Sequence, residues 1–199
     1  MKSENFIQRL SQFIQAGEKN SPLIHSNAFS FFYNETYLSV FRYIYGLTGG
    51  PSPQAEDLTA ETFIRAWKNR KEYRGEPAQA TGWVLRIARN LVIDTYRWEK
   101  SRIEYTEIPV EEEILCIPEE QHPEERILAS EQHQLVLKLM DGLPSNQREI
   151  LVLRYLLNWK VRQISQYLEI PENTVSVYIR RALEKLRLIW PVEKEQKND

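Results

Sequence analysis

The chain has 199 residues, 42% of them hydrophobic and 27% charged, with only 7 glycines and a formal net charge of −2. That length fits one large or two small domains, and the dominance of long amphipathic runs over glycine-rich turns points to a mostly helical protein. A single cysteine, Cys116, excludes an intrachain disulfide, and no apolar run approaches the ~18–20 residues of a membrane span. With no apolar leader followed by a small-residue cleavage site, the expectation is a cytoplasmic protein that does not insert into membranes.

Residues 1–25 open with Phe6, Ile7, Leu10, Phe13 and Ile14 at helical spacing, which suits either an added packing helix or a partner-binding arm. Residues 29–45 form a dense aromatic helix, and rings at that spacing build a core. Gly49, Gly50 and Pro51 break it. The chain restarts at Gln54, with Glu56 and Asp57 placed in a first helical turn where the macrodipole favours acids, and runs on through Phe63, Ile64, Ala66 and Trp67.

A basic loop over residues 69–82 leads to a helix predicted over residues 83–98. On a helical wheel Trp83, Arg86, Asn90 and Arg97 share one side with Asp94 at its flank, and Val84, Leu85, Ala88, Leu91 and Val92 lie opposite. One face is made for a core and the other for a polar, negatively charged partner. The net charge of −2 hides this: residues 65–102 hold ten basic and four acidic side chains.

Residues 103–127 hold nine glutamates against Arg126 alone, with Pro109, Pro118, Pro123 and no sustained periodicity. They read as an acidic linker, extended by self-repulsion and proline. Cys116 sits there with no neighbour that would depress its pKa, so no redox role is assigned to it. From Leu128 the helical pattern returns, breaks at Gly142-Leu143-Pro144, and resumes with Ser145 or Asn146 as the cap, Glu149 in the first turn, and Ile150, Leu151, Leu153, Tyr155 and Leu156 on the apolar side. Over residues 164–188 two short helices meet at a tight turn. Val161, Ile164 and Leu168 face inward from the first, and Ser165 is small where the helices approach. Val175, Ile179, Ala182 and Leu186 face inward from the second. Thr174, Val177, Arg180, Arg181 and Glu184 project outward with Tyr178 and Lys185 on one flank, the form of a helix-turn-helix whose second helix can enter a major groove.

Two independent motif blocks give these helices a common meaning. AEDLTAETFIRAW (55–67), YRGE (73–76) and WVLRIARNLVID (83–94) resemble region 2 of bacterial RNA polymerase sigma factors, and LPSNQREILVLRYL (143–156) with the hairpin after it resembles region 4. Both blocks in this order with a short connector are similar to the extracytoplasmic-function class of the sigma-70 family, over residues 26–100 and 128–190. The fold implied is all-α, with an N-terminal extension (1–25), region 2 (26–102), a linker (103–127), region 4 (128–190) and a tail (191–199).

The resemblance implies a sigma factor that binds core polymerase, recognises a bipartite promoter and nucleates its melting. Asp57, Leu58, Glu61 and Trp67 match the positions that dock on the polymerase β′ clamp helices, although Phe63 and Trp67 also suit plain core packing. Tyr73, Arg74, Trp83, Arg86, Asn90 and Arg97 match the part that captures and opens the −10 element. Cations for phosphates and aromatic faces for unstacked bases suit that task, and Trp83 has an equally good structural reading. Thr174, Val177, Tyr178, Arg180, Arg181 and Lys185 match the −35 reader. The chain departs from the family pattern at Ala60, where relatives often carry glutamine. It departs again at Ser176-Val177-Tyr178 in place of Lys-Ser-Arg, at Glu169 in place of the turn glycine, and at Glu184 in place of a base. Residues 77–81 also lack the basic and aromatic side chains common in relatives.

The partners implied are core RNA polymerase (the β′ clamp helices and the β subunit), promoter DNA and an anti-sigma factor. His25, His122 and His133 are scattered without ligand spacing, and there is no P-loop or nucleophile elbow, so no metal, no cofactor and no enzyme activity are expected. A stand-alone helix-turn-helix regulator would leave the 55–67 and 73–94 motifs unused, and a helical enzyme would need a polar catalytic cluster.

Overall fold

The computed structural model describes residues 23, 25–49, 52–76, 79–103 and 131–190, and all regular structure among them is helical. The chain divides into two compact units, Met1–Val110 and Glu111–Asp199. The expected N-terminal helix, the acidic connector beyond Ile103 and the tail after Trp190 lie outside the described residues.

In unit 1, α1 (Ser26–Thr48), α2 (Ser52–Asn69) and α3 (Ala80–Ile103) each pack on the other two. The aromatic run of α1 fills the centre with fully buried Phe32, Phe41 and Tyr43. Phe63 of α2 receives the ring edges of Phe32 at 6.5 Å and Tyr33 at 4.7 Å, and Tyr37 stacks on it at 6.4 Å. Such pairs add about 0.5–1.5 kcal/mol each beyond the burial itself. Tyr33 stays 38% exposed, covering Phe63 from the solvent side. Buried Thr36, Thr59 and Thr62 donate their hydroxyls to carbonyls four residues back at 2.6 Å, so none is left unsatisfied in the core.

Gly49 ends α1 at φ 60, its N–H donating to Tyr45 O at 3.0 Å, as a left-handed cap requires. α2 then begins at Ser52, earlier than the sequence reading placed it. Pro53 is tolerated there because a first-turn residue has no intrahelical N–H partner to lose. Glu56 and Asp57 therefore fall beyond the first turn, and the dipole argument made for them does not hold. α3 is longer than expected at both ends, and Val84, Leu85, Ala88, Leu91 and Val92 are all buried. The Tyr96 hydroxyl donates to Thr48 O at 3.1 Å, tying α3 to the end of α1.

In unit 2, α7 (Glu172–Ile189) is the central element, packed by α4 (Glu131–Asp141), α5 (Ser145–Leu151) and α6 (Val161–Leu168). Ile150, Val152, Leu153, Ile164, Val175 and Ala182 are completely buried. The expected cap of α5 is corrected: Pro144 holds the N-cap position with no side-chain bond, Ser145 and Asn146 lie inside the first turn, and Glu149 falls beyond it. Tyr155, expected on the apolar side, is instead 55% exposed. Buried Arg148 instead pairs with Asp141, joining the end of α4 to α5. α5 continues into a single π turn, Val152–Leu156, where Leu157 N–H donates to Val152 O at 3.1 Å.

The turn between α6 and α7 places Glu169 at φ 58, in left-handed backbone that favours glycine. Ser165 holds it, its hydroxyl donating to Ile170 O at 2.6 Å while its carbonyl accepts from Ile170 N–H at 3.2 Å. A β-carbon in left-handed backbone costs about 1–2 kcal/mol, and glycine returns part of this through its freer unfolded chain. Glu169→Gly is therefore expected to stabilise unit 2 by about 0.5–1 kcal/mol, seen as a higher thermal midpoint. A lower midpoint would show that the Glu169 side chain outweighs the strain.

Candidate nucleic-acid and protein interfaces

Three surfaces collect the residues singled out from sequence. On α2, Asp57 and Glu61 lie along one stripe, and Ile64, 48% exposed, continues it toward Lys68. Leu58 and Trp67 fall on opposite flanks of that stripe, so the four matched residues do not form one patch. Glu61 accepts from Arg65 Nε at 2.7 Å, an exposed pair worth a few tenths of a kcal/mol at most. Trp67 sets one edge against Phe29 at 5.0 Å and carries the Arg70 guanidinium 3.4 Å above its ring, so it serves the core and a cationic surface together. Ile64 was missed from sequence, although its spacing from Asp57 and Glu61 was readable.

The second surface is the loop before α3 with the outer face of that helix. Arg86, Asn90, Asp94 and Arg97 are exposed and Trp83 is half-buried, on the side opposite the buried residues. Arg86 and Arg97 are separated by about 17 Å of helix, the rise of about five base pairs. Arg74 is exposed while donating to Lys71 O at 2.5 Å and Tyr73 O at 3.3 Å.

Tyr73 stands apart from the other residues of this set. It is only 7% exposed, its hydroxyl donates to Glu76 O at 2.6 Å, and its ring lies 5.0 Å from that of Trp83. A β-carbon on Gly75 would come within 2.5 Å of the Tyr73 hydroxyl, so glycine is what lets the loop close over the ring. Burial, and behind it the Glu76 carboxylate, push the Tyr73 phenol from 10.0 up to about 12. A raised folded pKa means stability present below pH 10 and lost as pH climbs to 12. Unit 1 is expected to weaken in denaturant titrations across that window, and Tyr73→Phe to flatten that part of the profile; an identical alkaline loss in Tyr73→Phe would exclude Tyr73 as its source.

The third surface is α7. Val175 and Ala182 are fully buried and Ile179 and Leu186 partly so, which leaves Arg180, Arg181, Glu184 and Lys185 exposed and Thr174, Val177 and Tyr178 half-exposed. The six residues matched to the −35 reader fall in two adjacent lines. Thr174, Tyr178, Arg181 and Lys185 form one, and Val177 and Arg180 lie beside it with Glu184. Arg180 Nε is 3.9 Å from Glu184 Oε1. Lys185 Nζ donates to Gly142 O in the α4–α5 turn, so its ammonium is occupied within the unit.

Beside this face the helices of unit 2 leave an apolar groove of about 400 Å³, lined by Val136, Leu137 and Met140 of α4, Leu151, Tyr155 of the π turn, and Leu183 of α7. Tyr155 and Leu183 are 55% and 42% exposed at its edge. The sequence reading did not find it, though Leu183 lies roughly 100° around the helix from Ala182, just past the buried arc. Among the described residues no group of His, Cys, Asp and Glu could hold a metal, and no helix is long and apolar enough to cross a membrane.

Comparison with known proteins gives these surfaces a context. The family description "Sigma-70 region 2" matches residues 32–102, and "Sigma-70, region 4" matches residues 133–186. The chain is 32% identical over 178 residues to the ECF RNA polymerase sigma factor BldN of Streptomyces coelicolor, covering 89% of this chain and 63% of that protein. It is 31% identical over 157 residues to the ECF RNA polymerase sigma factor SigL of Mycobacterium tuberculosis, covering 78% of this chain and 85% of that one. The fold is similar to that of sigma factor RpoE solved with the anti-sigma factor NepR from Bartonella quintana, with TM-score 0.64, 17% identity and coverage of 83% and 98% of the two chains. It is also similar to CnrH solved with the cytosolic domain of CnrY, with TM-score 0.61, 17% identity and coverage of 92% and 95%. On the two matched regions and the relatives that span both, the chain belongs to the extracytoplasmic-function class of the sigma-70 family, a family of non-enzymatic transcription initiation factors.

Proposed function

We propose that this chain binds core RNA polymerase in the cytoplasm, directs it to bipartite promoters and nucleates their melting. The observation that carries the reading is that each of two compact units turns a cationic helix face outward while burying the opposite face in its own core: Arg86 and Arg97 on α3, Arg180 and Arg181 on α7. Two such faces on one chain suit two separated DNA elements. Phosphate attraction supplies affinity, and the side chains between the cations supply sequence preference.

In this reading α3 and the loop at Arg74 take the −10 element. Trp83 offers a ring for an unstacked base, and Asn90 a hydrogen-bonding amide between the two arginines. Tyr73 supports the loop from inside. The α6–α7 hairpin reads the −35 duplex through Thr174, Val177, Tyr178, Arg180 and Arg181. Val177 and the Thr174 methyl put apolar groups on this face, and apolar groups in a major groove favour thymine methyls. Asp57, Glu61 and Ile64, flanked by Leu58 and Trp67, form the β′ clamp contact, and the apolar groove of unit 2 receives an apolar segment of a protein partner. Because the similar folds were solved with anti-sigma factors, an anti-sigma factor competing for these surfaces belongs to the proposal. The working domain limits are 26–102 and 128–190, with an acidic linker over 103–127.

The test is run-off transcription with purified core polymerase and a promoter library. Addition of the chain is expected to confer initiation at defined sites with two conserved elements. If initiation stays unchanged while the chain alone binds palindromic sites as a dimer, the stand-alone regulator replaces this reading.

A further inference from the structure

The groove of unit 2 leaves apolar side chains of α4, the π turn and α7 facing solvent, and the chain itself carries a segment fitted to cover them. Residues 114–117 read Ile-Leu-Cys-Ile, the longest apolar run in the connector (Ile108-Pro109-Val110 is shorter), set between Glu111, Glu112 and Glu113 on one side and Glu119 and Glu120 on the other. We propose that in the free protein this segment seats in the groove lined by Val136, Leu137, Met140, Tyr155 and Leu183, so that a partner helix must displace it to dock.

Reach, charge and composition support this occupant. Glu131, the first residue of α4, lies fourteen positions after Ile117. Extended, that stretch spans up to ~46 Å, against a radius of gyration of about 10 Å for a unit of roughly 60 residues. The groove also lies close to where the tether enters: Val136 is five residues into α4, about 8 Å along its axis. The flanking glutamates would meet a unit whose residues 128–190 hold nine basic and six acidic side chains, with Lys138 on α4 and Arg187 on α7 both exposed. The other end of this unit, residues 191–199, reads PVEKEQKND and has too little apolar side chain to fill the groove.

This contact forms in the free chain, whatever protein takes the groove afterwards, so it is read without polymerase. Cys116 is the only cysteine, which makes a cross-link unambiguous. In full-length Leu183→Cys, added diamide should take two protons and two electrons from the two thiols. It becomes the hydrazine and leaves, within one monomer, a disulfide between Cys116 and the sulfur introduced at position 183. That product should form at least about tenfold faster than the corresponding one in Arg162→Cys, an exposed control on α6. A second measurement needs no new cysteine. In the unsubstituted chain Cys116 should react with a neutral thiol reagent at least about tenfold more slowly than in Leu183→Glu. Equal rates in either comparison, or disulfide-linked dimers as the product of Leu183→Cys, would overturn the proposal, the dimers pointing to a second copy as the occupant.

Discussion

Gly75→Val is expected to destabilise unit 1 by about 2–4 kcal/mol and to impair promoter opening beyond its effect on promoter binding. The added β-carbon would lie 2.5 Å from the Tyr73 hydroxyl oxygen, 2.7 Å from Cζ and 2.8 Å from Cε2, so it meets a ring rather than a flexible chain end. That ring cannot swing aside freely. It packs against Trp83, and its hydroxyl is bonded to Glu76 O. Overpacking of this kind costs about 1–3 kcal/mol, and losing the hydrogen bond adds about 1 more. Relief would come by moving the loop, which carries Arg74 and abuts Trp83, the side chains proposed to meet the −10 element. Urea unfolding followed at the tryptophans should show an earlier transition for unit 1. On a Tyr73→Phe background the penalty of Gly75→Val should shrink, since the closest atom is gone. An unchanged midpoint would mean that the loop accommodates the side chain at no cost, and Tyr73 would lose the supporting role assigned to it.

What the sequence made legible and what it hid follow from the range of the interactions involved. The two faces of α3 were readable because each position's exposure depends on its angle about one axis, and the buried set from Val84 to Val92 matches the wheel residue for residue. The aromatic core of α1 was readable for the same reason. Tyr73 was not, because it sits in a loop with no period, and its burial depends on a bond to Glu76 O and on the missing side chain of Gly75. The π turn was hidden because it differs from an α turn by moving one acceptor by one residue. Lys185 was placed on a flank of α7 correctly by angle, but its bond to Gly142 spans 43 residues of sequence, which no local pattern encodes. The groove was half-legible: α7 carries Leu183 outside its buried arc, but the facing surface comes from α4 and the π turn. The left-handed backbone at Glu169, and at Asn158 after the π turn, was hidden too, because neither residue is the glycine that usually signals it.

The recognition face of α7 yields the other large effect. Arg181→Ala is expected to weaken binding of the reconstituted holoenzyme to its −35 element by about 1–3 kcal/mol, roughly 5- to 150-fold, if it contacts a base edge. If it contacts phosphate alone, the loss will be uniform across sequences and the slope of log affinity against log salt will fall by about 0.9. Arg180→Ala should cost less, because its guanidinium already lies 3.9 Å from the Glu184 carboxylate and shares its charge with it. By the same logic Glu184→Ala should tighten binding, since it removes an anion from a face turned toward phosphates. Lys185→Ala separates the proposed geometry from simple charge counting. All three cations are exposed, and a reading based on net charge would give them equal weight. The structure places the Lys185 ammonium on Gly142 O, so its removal should loosen the α4–α5 turn by about 1 kcal/mol and leave DNA affinity nearly unchanged. Titrations at three salt concentrations, with thermal unfolding of the same variants, would resolve both quantities. A Lys185→Ala loss equal to that of Arg181→Ala would show that the lysine leaves the turn to meet DNA, and the reading line on α7 would then run through Thr174, Tyr178, Arg181 and Lys185.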